Sequence, residues 1–205
     1  MKPWKVVIIA HAVVFALIIA FAWYEVRHGF SARETPSYIE TLAATAARKL
    51  AVPSAYRNLH NPTPATPENI RAGMEHFADH CATCHANDGS GDTMFGKGLY
   101  PKPPDMRKPE TQNKMDGELC YTIQNGVRLS GMPAFGEEHG TDAGDTDTWH
   151  LVLFIRHLPN LTPGELQQME QLNPRTEEER QEEKQEEEFL RGGNPQIQDG
   201  SSHHH

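Results

Sequence analysis

Apolar residues crowd the start of the chain and then change their spacing. Residues 6–24, VVIIAHAVVFALIIAFAWY, are apolar throughout except for His11. A helix rises about 1.5 Å per residue, so a run of this length covers roughly the ~30 Å hydrocarbon layer of a bilayer. Trp4 before the run and Trp23-Tyr24 at its end are placed as interfacial aromatics. The pattern predicts one membrane-spanning helix, retained as an anchor. A cleaved signal peptide competes, because Ala20-Phe21-Ala22 has the form of a small-x-small cleavage site. The length of the run, and the bulky Trp23-Tyr24 that would follow the cut, favour the anchor. Lys2 and Lys5 ahead of it put the N-terminus in the cytoplasm, and Arg27 and Arg33 blunt that bias. His11 reads as a tolerated polar residue.

Farther along, the apolar positions recur at helical spacing. Ile39, Leu42, Ala43, Ala46 and Leu50 mark a short amphipathic helix over 37–50, lying on the membrane surface or on the following domain. Residues 51–66 are proline-rich, with Asn61-Pro62, and read as an extended linker. Thr66 with Pro67 opens a helix whose face carries Ile70, Gly73, Met74, Phe77 and Cys81. Residues 86–100 are a glycine-rich loop, and Pro101-Lys102-Pro103-Pro104 is rigid. Asp116 caps a second helix that stops at Gly126 and carries Leu119, Cys120 and Ile123 on one side. After the loop 127–136, a third helix over about 146–158 presents Leu151, Phe154, Ile155 and Leu158. Thr162-Pro163-Gly164-Glu165 is a capping box for another short one. No stretch alternates like a strand, so the fold class is all-α.

Charge divides the same chain. The total is −9, made of +4 over residues 1–65, −8 over 66–170 and −5 over 171–205. So acidic a domain would repel phosphates, which excludes a nucleic-acid partner. A basic partner and plain solubility both fit. Residues 174–191 hold eight Glu and four Lys/Arg with almost no apolar residue, so this tail is a solvated helix or disorder and joins no core. The terminal His203–His205 fits a purification-tag remnant better than a native metal-binding tail.

The candidate chemistry sits in Cys81-Ala82-Thr83-Cys84-His85. A dithiol redox site has no use for the histidine and follows a strand, which is missing here. A structural zinc site needs four ligands, and the only other cysteine is Cys120. A disulfide across two intervening residues is strained and also ignores His85. Covalent haem uses all three residues: each thiol forms a thioether with one vinyl group, and His85 stands as the proximal iron ligand. An electron carrier also needs a second axial ligand. Met132, in Ser130-Gly131-Met132-Pro133-Ala134-Phe135, is the candidate, because glycine permits close approach and proline stiffens the loop. Met94, Met106, Met115, His76, His80, His139, His150 and His157 are its rivals. Cys120, a single thiol, is expected to be buried.

In combination these motifs resemble the mono-haem class I cytochromes c. The residues that carry the resemblance are Cys81-x-x-Cys84-His85, the glycine-rich loop, Leu119-x-x-x-Ile-x-Asn-Gly-x-Arg-x-x-Gly-Met132-Pro-Ala-Phe and a terminal helix with Trp149, spanning about 66–160. The resemblance implies a small helical fold around one haem c, with a terminal helix pair crossing near Gly73, Phe77 and Phe154. It also implies that a proline carbonyl in 101–104, from Pro103 or Pro104, accepts the proton of His85 Nδ1. Cys120 departs from the pattern, standing where such domains often carry a bulky aromatic. Tyr121 and Arg128 are candidates for the haem propionates.

The expected organisation is an N-terminal membrane anchor (1–30), an amphipathic helix and linker (31–65), a class I cytochrome c domain (66–170) and an acidic tail (171–205). The expected function is one-electron transfer between a donor and an acceptor redox protein of a respiratory-type chain. The protein is then no enzyme, and its haem domain lies on the outer side of a bacterial cytoplasmic membrane. Two alternatives remain: a sensor or small-ligand enzyme with an open sixth site, and a fixed haem subunit of a larger membrane complex.

Overall fold

The structure is a computed structural model that describes residues 2–29, 31–136 and 145–175, with residues 181, 184, 185 and 189–191 beyond them. His139, His203–His205 and most of the acidic tail lie outside the described residues. Ten α-helices follow in order among the described ones: α1 (Pro3–His28), α2 (Tyr38–Ala51), α3 (Ser54–Arg57), α4 (Pro67–His76), α5 (Ala82–His85), α6 (Met94–Lys97), α7 (Pro109–Gln112), α8 (Asp116–Asn125), α9 (Thr146–His157) and α10 (Pro163–Leu172). No described residue is in a strand.

α1 extends the predicted apolar run at both ends. It is long and apolar enough to cross a membrane, with mean hydropathy 2.7, and none of that stretch is buried against the rest of the protein. His11 Nδ1 pairs with the Val7 carbonyl at 2.7 Å, one turn back, so its polarity is met within the helix.

α2 starts at Ser37, whose hydroxyl accepts from the Glu40 N–H while the Glu40 carboxylate accepts from the Ser37 N–H. That reciprocal cap satisfies two of the donors a helix N-terminus leaves open. Its other end is held by Arg57, which donates to the carbonyls of Val52 (3.0 Å), Lys49 (3.0 Å) and Leu50 (3.2 Å). No side chain of α2 is buried.

The stretch 51–66 is not the extended linker expected from its prolines. It contains α3, and Val52 is buried while Tyr56 and Leu59 pack against the core. Tyr56 donates to Gln124 Oε1 at 3.0 Å and meets the Tyr121 ring edge-on at 5.1 Å. Asn61 donates to the Trp149 carbonyl at 2.9 Å. Gly117, in the first turn of α8, lies against the Tyr56 carbonyl, where a Cβ would collide. Val52, Tyr56 and Leu59 are spaced like a helix face, a signal that the surrounding prolines hide.

The core forms where α4 and a π-helical turn, Phe77–Cys81, cross α9, with α8 and α10 closing the sides. Phe77 and Phe154 are both fully buried, their ring centroids 5.2 Å apart. The crossing is close because position 73 has no side chain: a Cβ there would run into the His150 carbonyl and come within 3.0 Å of Phe154 Cβ. The helix pair implied at Gly73, Phe77 and Phe154 is therefore present. Gly73→Ala should cost about 1–3 kcal/mol, the usual penalty for overfilling a packed core. Chemical denaturation of the holoprotein checks it, and an unchanged midpoint would show that the crossing tolerates a methyl group.

Asp116 does not cap α8. It is the first helical residue, and its Oδ1 accepts from Arg156 Nε (3.0 Å) and Nη2 (2.7 Å). Arg156 also donates to the Gln112 and Lys114 carbonyls, which ties α9 to the turn before α8. Thr162 and Glu165 form the expected capping box of α10.

Candidate functional site

The Cys81–His85 segment takes its shape from the helix that precedes it. α4 loosens into the π-helical turn 77–81, and α5 then carries Ala82–His85. Such single π turns inside helices are common at functional sites, because they re-aim side chains without breaking the rod. α5 ends at Ala86, whose φ of +61° turns the chain sharply away. The glycines at 89 and 91 also have positive φ, 72° and 74°, and allow the loop to fold back tightly. Gly91 N–H donates to the His85 carbonyl at 2.8 Å, and Thr93 Oγ1 donates to the Cys84 carbonyl at 3.3 Å. Gly96 in α6 lies so close to the Cys84 carbonyl that its Cβ would come within 2.6 Å. The loop thus fastens the motif from behind through backbone groups and leaves its three side chains unused.

Both thiols of the motif are free and half-buried. Burial, reinforced by neighbouring Cys84, pushes the Cys81 thiol up to about 12. A catalytic dithiol is helped by the opposite shift, toward a stable thiolate, so the burial of Cys81 speaks against the redox-dithiol reading. Among the described residues no three His, Cys, Asp or Glu side chains converge as a metal-binding group, so a zinc site has no ligand set there.

His85 is buried, and burial lowers its imidazole to about 4, so the ring is neutral at ordinary pH. A neutral imidazole is the form that binds metal. Its Nδ1 is buried without a hydrogen-bond partner. The expected acceptance by a proline carbonyl is therefore not formed. The Pro103 carbonyl instead lies against Gly91, 2.7 Å from where a Cβ would stand. That contact packs Pro103 on the loop whose Gly91 N–H holds the His85 carbonyl. A buried polar atom left unpaired is costly, so the ring is held in place by packing. Phe77 supplies part of that packing, with ring centroids 6.4 Å apart.

Met132 is half-buried in a loop that fixes its own backbone. Val127 N–H donates to the Met132 carbonyl at 3.1 Å, and Met132 N–H donates to Ser130 Oγ at 3.2 Å. Gly126, at φ +64°, backs directly onto Pro133, and Phe135 and Gly136 donate to the Ile123 and Gln124 carbonyls at the end of α8. Gly131 lets the Leu99 side chain pack directly on the loop backbone, where a Cβ would push its methyl groups aside. Leu99 comes from the same loop that grips Cys84, so it joins the two halves of the candidate site through an apolar contact.

The rivals of Met132 are placed otherwise. Met94 and Met115 are exposed, and Met106 is packed in the core. His76 and His80 face each other, rings 4.8 Å apart, and His80 lies beside the Asp79 carboxylate. His157 pairs with Glu165 at 2.9 Å. Cys120 is fully buried, as expected, its Sγ 3.8 Å from Gln124 Oε1. Tyr121 packs on Tyr56, and Arg128 is exposed. Gln124, which receives both Tyr56 and Cys120, carried no signal in the sequence beyond a polar residue on an apolar helix face.

Residues 68–155 match the family model described as cytochrome C oxidase, cbb3-type, subunit III. No curated protein matches the chain.

Proposed function

We propose, from the premise that residues 68–155 form a class I c-type cytochrome domain, that this chain carries single electrons at the outer face of the membrane that α1 spans. In this reading Cys81 and Cys84 would hold one haem c through thioethers, and His85 and Met132 would supply the ligands to its iron. The observation that carries it is the turn Cys81–His85, which sets two free thiols and a buried, neutral imidazole on one helical segment with no other chemistry among them. The bound group supplies one-electron exchange at iron.

The polypeptide does the rest. Phe77 and the core behind it keep water from the histidine. The Thr93 and Gly96 contacts hold Cys84 in position. Gly126 and Pro133 fix the loop of Met132, so that the thioether is presented without a search through conformers. Little then rearranges as charge moves, which suits a carrier. The domain extends over about 66–170, with 1–30 as anchor, 31–65 as connection and 171–205 as tail. Tethering keeps it near the donor and acceptor in the membrane plane and raises their effective concentration.

Redox titration of the full chain in mild detergent should give a single one-electron wave, and the reduced protein should bind no carbon monoxide at neutral pH. Two waves would overturn the single haem. Ready carbon monoxide binding would overturn the sixth ligand and favour the sensor or enzyme. The matching family model favours a second reading, a haem subunit fixed in a respiratory oxidase-like complex. A stoichiometric companion through native purification would select it.

A further inference from the structure

We propose that α2 is a second membrane contact, lying in the anionic headgroup layer of the membrane that α1 spans. The proposal rests on the reading of α1 as a retained anchor. Tyr38, Ile39, Leu42 and Leu50 are 81%, 78%, 58% and 78% exposed. At 3.6 residues per turn these four and Ala46 fall within an arc of about 120°, a width typical of a helix that buries one stripe. Glu40 stands roughly 140° from the middle of that arc on the same wheel. It is the residue that faces the haem domain, accepting from the Tyr100 hydroxyl at 2.5 Å. The polar flank therefore touches the rest of the protein at Glu40, and the apolar stripe points away from that contact.

Three observations say what covers the stripe. Only Gly29–Ser37 separate α1 from α2, a reach of at most roughly 35 Å when fully extended. A turn closed by Glu34 N–H to the Ser31 carbonyl, 3.2 Å, shortens it further. α2 thus cannot leave the neighbourhood of the bilayer. Charge points the same way: Arg33, Arg48, Lys49 and Arg57 outnumber Glu34 and Glu40 here, while residues 66–170 carry −8. Anionic phosphates attract the first segment and repel the second. Lys49 falls inside the arc, where its stem covers apolar surface and its ammonium reaches phosphate. Tyr38 at the edge is an interfacial residue type. This pattern is that of a helix lying in the interface plane.

Hydrogen–deuterium exchange of the full holoprotein tests it, at one chain per nanodisc of mixed phosphatidylcholine and phosphatidylglycerol. The comparison is the triple variant Ile39→Ala/Leu42→Ala/Leu50→Ala. Alanine raises helix propensity, so faster exchange in the variant reports lost lipid contact rather than a melted helix. Amides of 38–51 should exchange about tenfold faster in the variant, which corresponds to about 1.4 kcal/mol of interfacial burial. Protection of α1 in both proteins is the internal control. If α1 is protected and α2 exchanges equally fast in wild type and variant, the headgroup contact is wrong and the anchor stands. If α1 itself exchanges freely, the anchor reading falls. Equal protection in all-phosphatidylcholine discs would overturn the anionic preference. Protection that appears only in native membranes would assign the stripe to a protein partner instead.

Discussion

A chain with alanine at both Cys81 and Cys84 should carry no covalent haem at all. Cys81 and Cys84 are the two thiols of the motif, and the third cysteine cannot substitute. Cys120 is fully buried in α8 beside Gln124, outside the motif. In acidified acetone the wild-type protein should keep its colour and an intact mass that includes one haem. The double variant should release any colour to the organic layer and show the mass of the bare chain. Single variants should retain one thioether at most. The structural effect should be large as well, because the buried, neutral His85 would no longer have a covalently held group beside it. A wild-type protein that gives up its colour to acid acetone would end the covalent reading, whatever the spectrum of the native sample.

Met132→Ala should lower the reduction potential. A thioether sulfur is soft and favours Fe(II), so removing it withdraws preferential support from the reduced state. The fall should be on the order of 0.1–0.3 V, a fraction of the ~0.8 V over which axial ligands spread haem potentials. The weak near-red absorbance of a thioether–iron(III) bond should vanish in this variant and in Met132→His. It should persist in Met94→Ala and Met115→Ala, whose side chains are exposed, and in Met106→Ala, which removes a core residue instead. Loss of the band in one of those three, with Met132→Ala unaffected, would move the ligand assignment to that residue.

The longer helices were legible in the sequence because each brings its own signal, whereas the four-residue α3, α6 and α7 are too short to show one. Thr66-Pro67 and Thr162-x-x-Glu165 announce their caps, and the apolar positions of 146–158 repeat with one period. The Cys81–His85 motif was legible because its spacing is chemical rather than conformational. What stayed hidden depends on contacts distant in the chain. Tyr56 reads as a residue in a proline-rich stretch until Gln124, 68 positions away, supplies its acceptor. Asp116 reads as a cap until Arg156 claims its carboxylate. The proline carbonyl expected for His85 was borrowed from a resemblance, and the Nδ1 atom it was to receive has no partner.

The strap through Val52, Tyr56 and Asn61 sets where this protein can be cut. The family match begins at residue 68, and the sequence pattern suggests a boundary near 66. A fragment starting there would leave Gln124 without Tyr56, the Trp149 carbonyl without Asn61, and an uncovered notch at Gly117. The packed unit is therefore longer than the stretch that the family model matches. Its N-terminal limit lies before Val52, within one residue of the end of α2. The packed domain and α2 consequently share a border with no slack between them, and a rotation of α2 would be passed to that domain as rotation rather than absorbed.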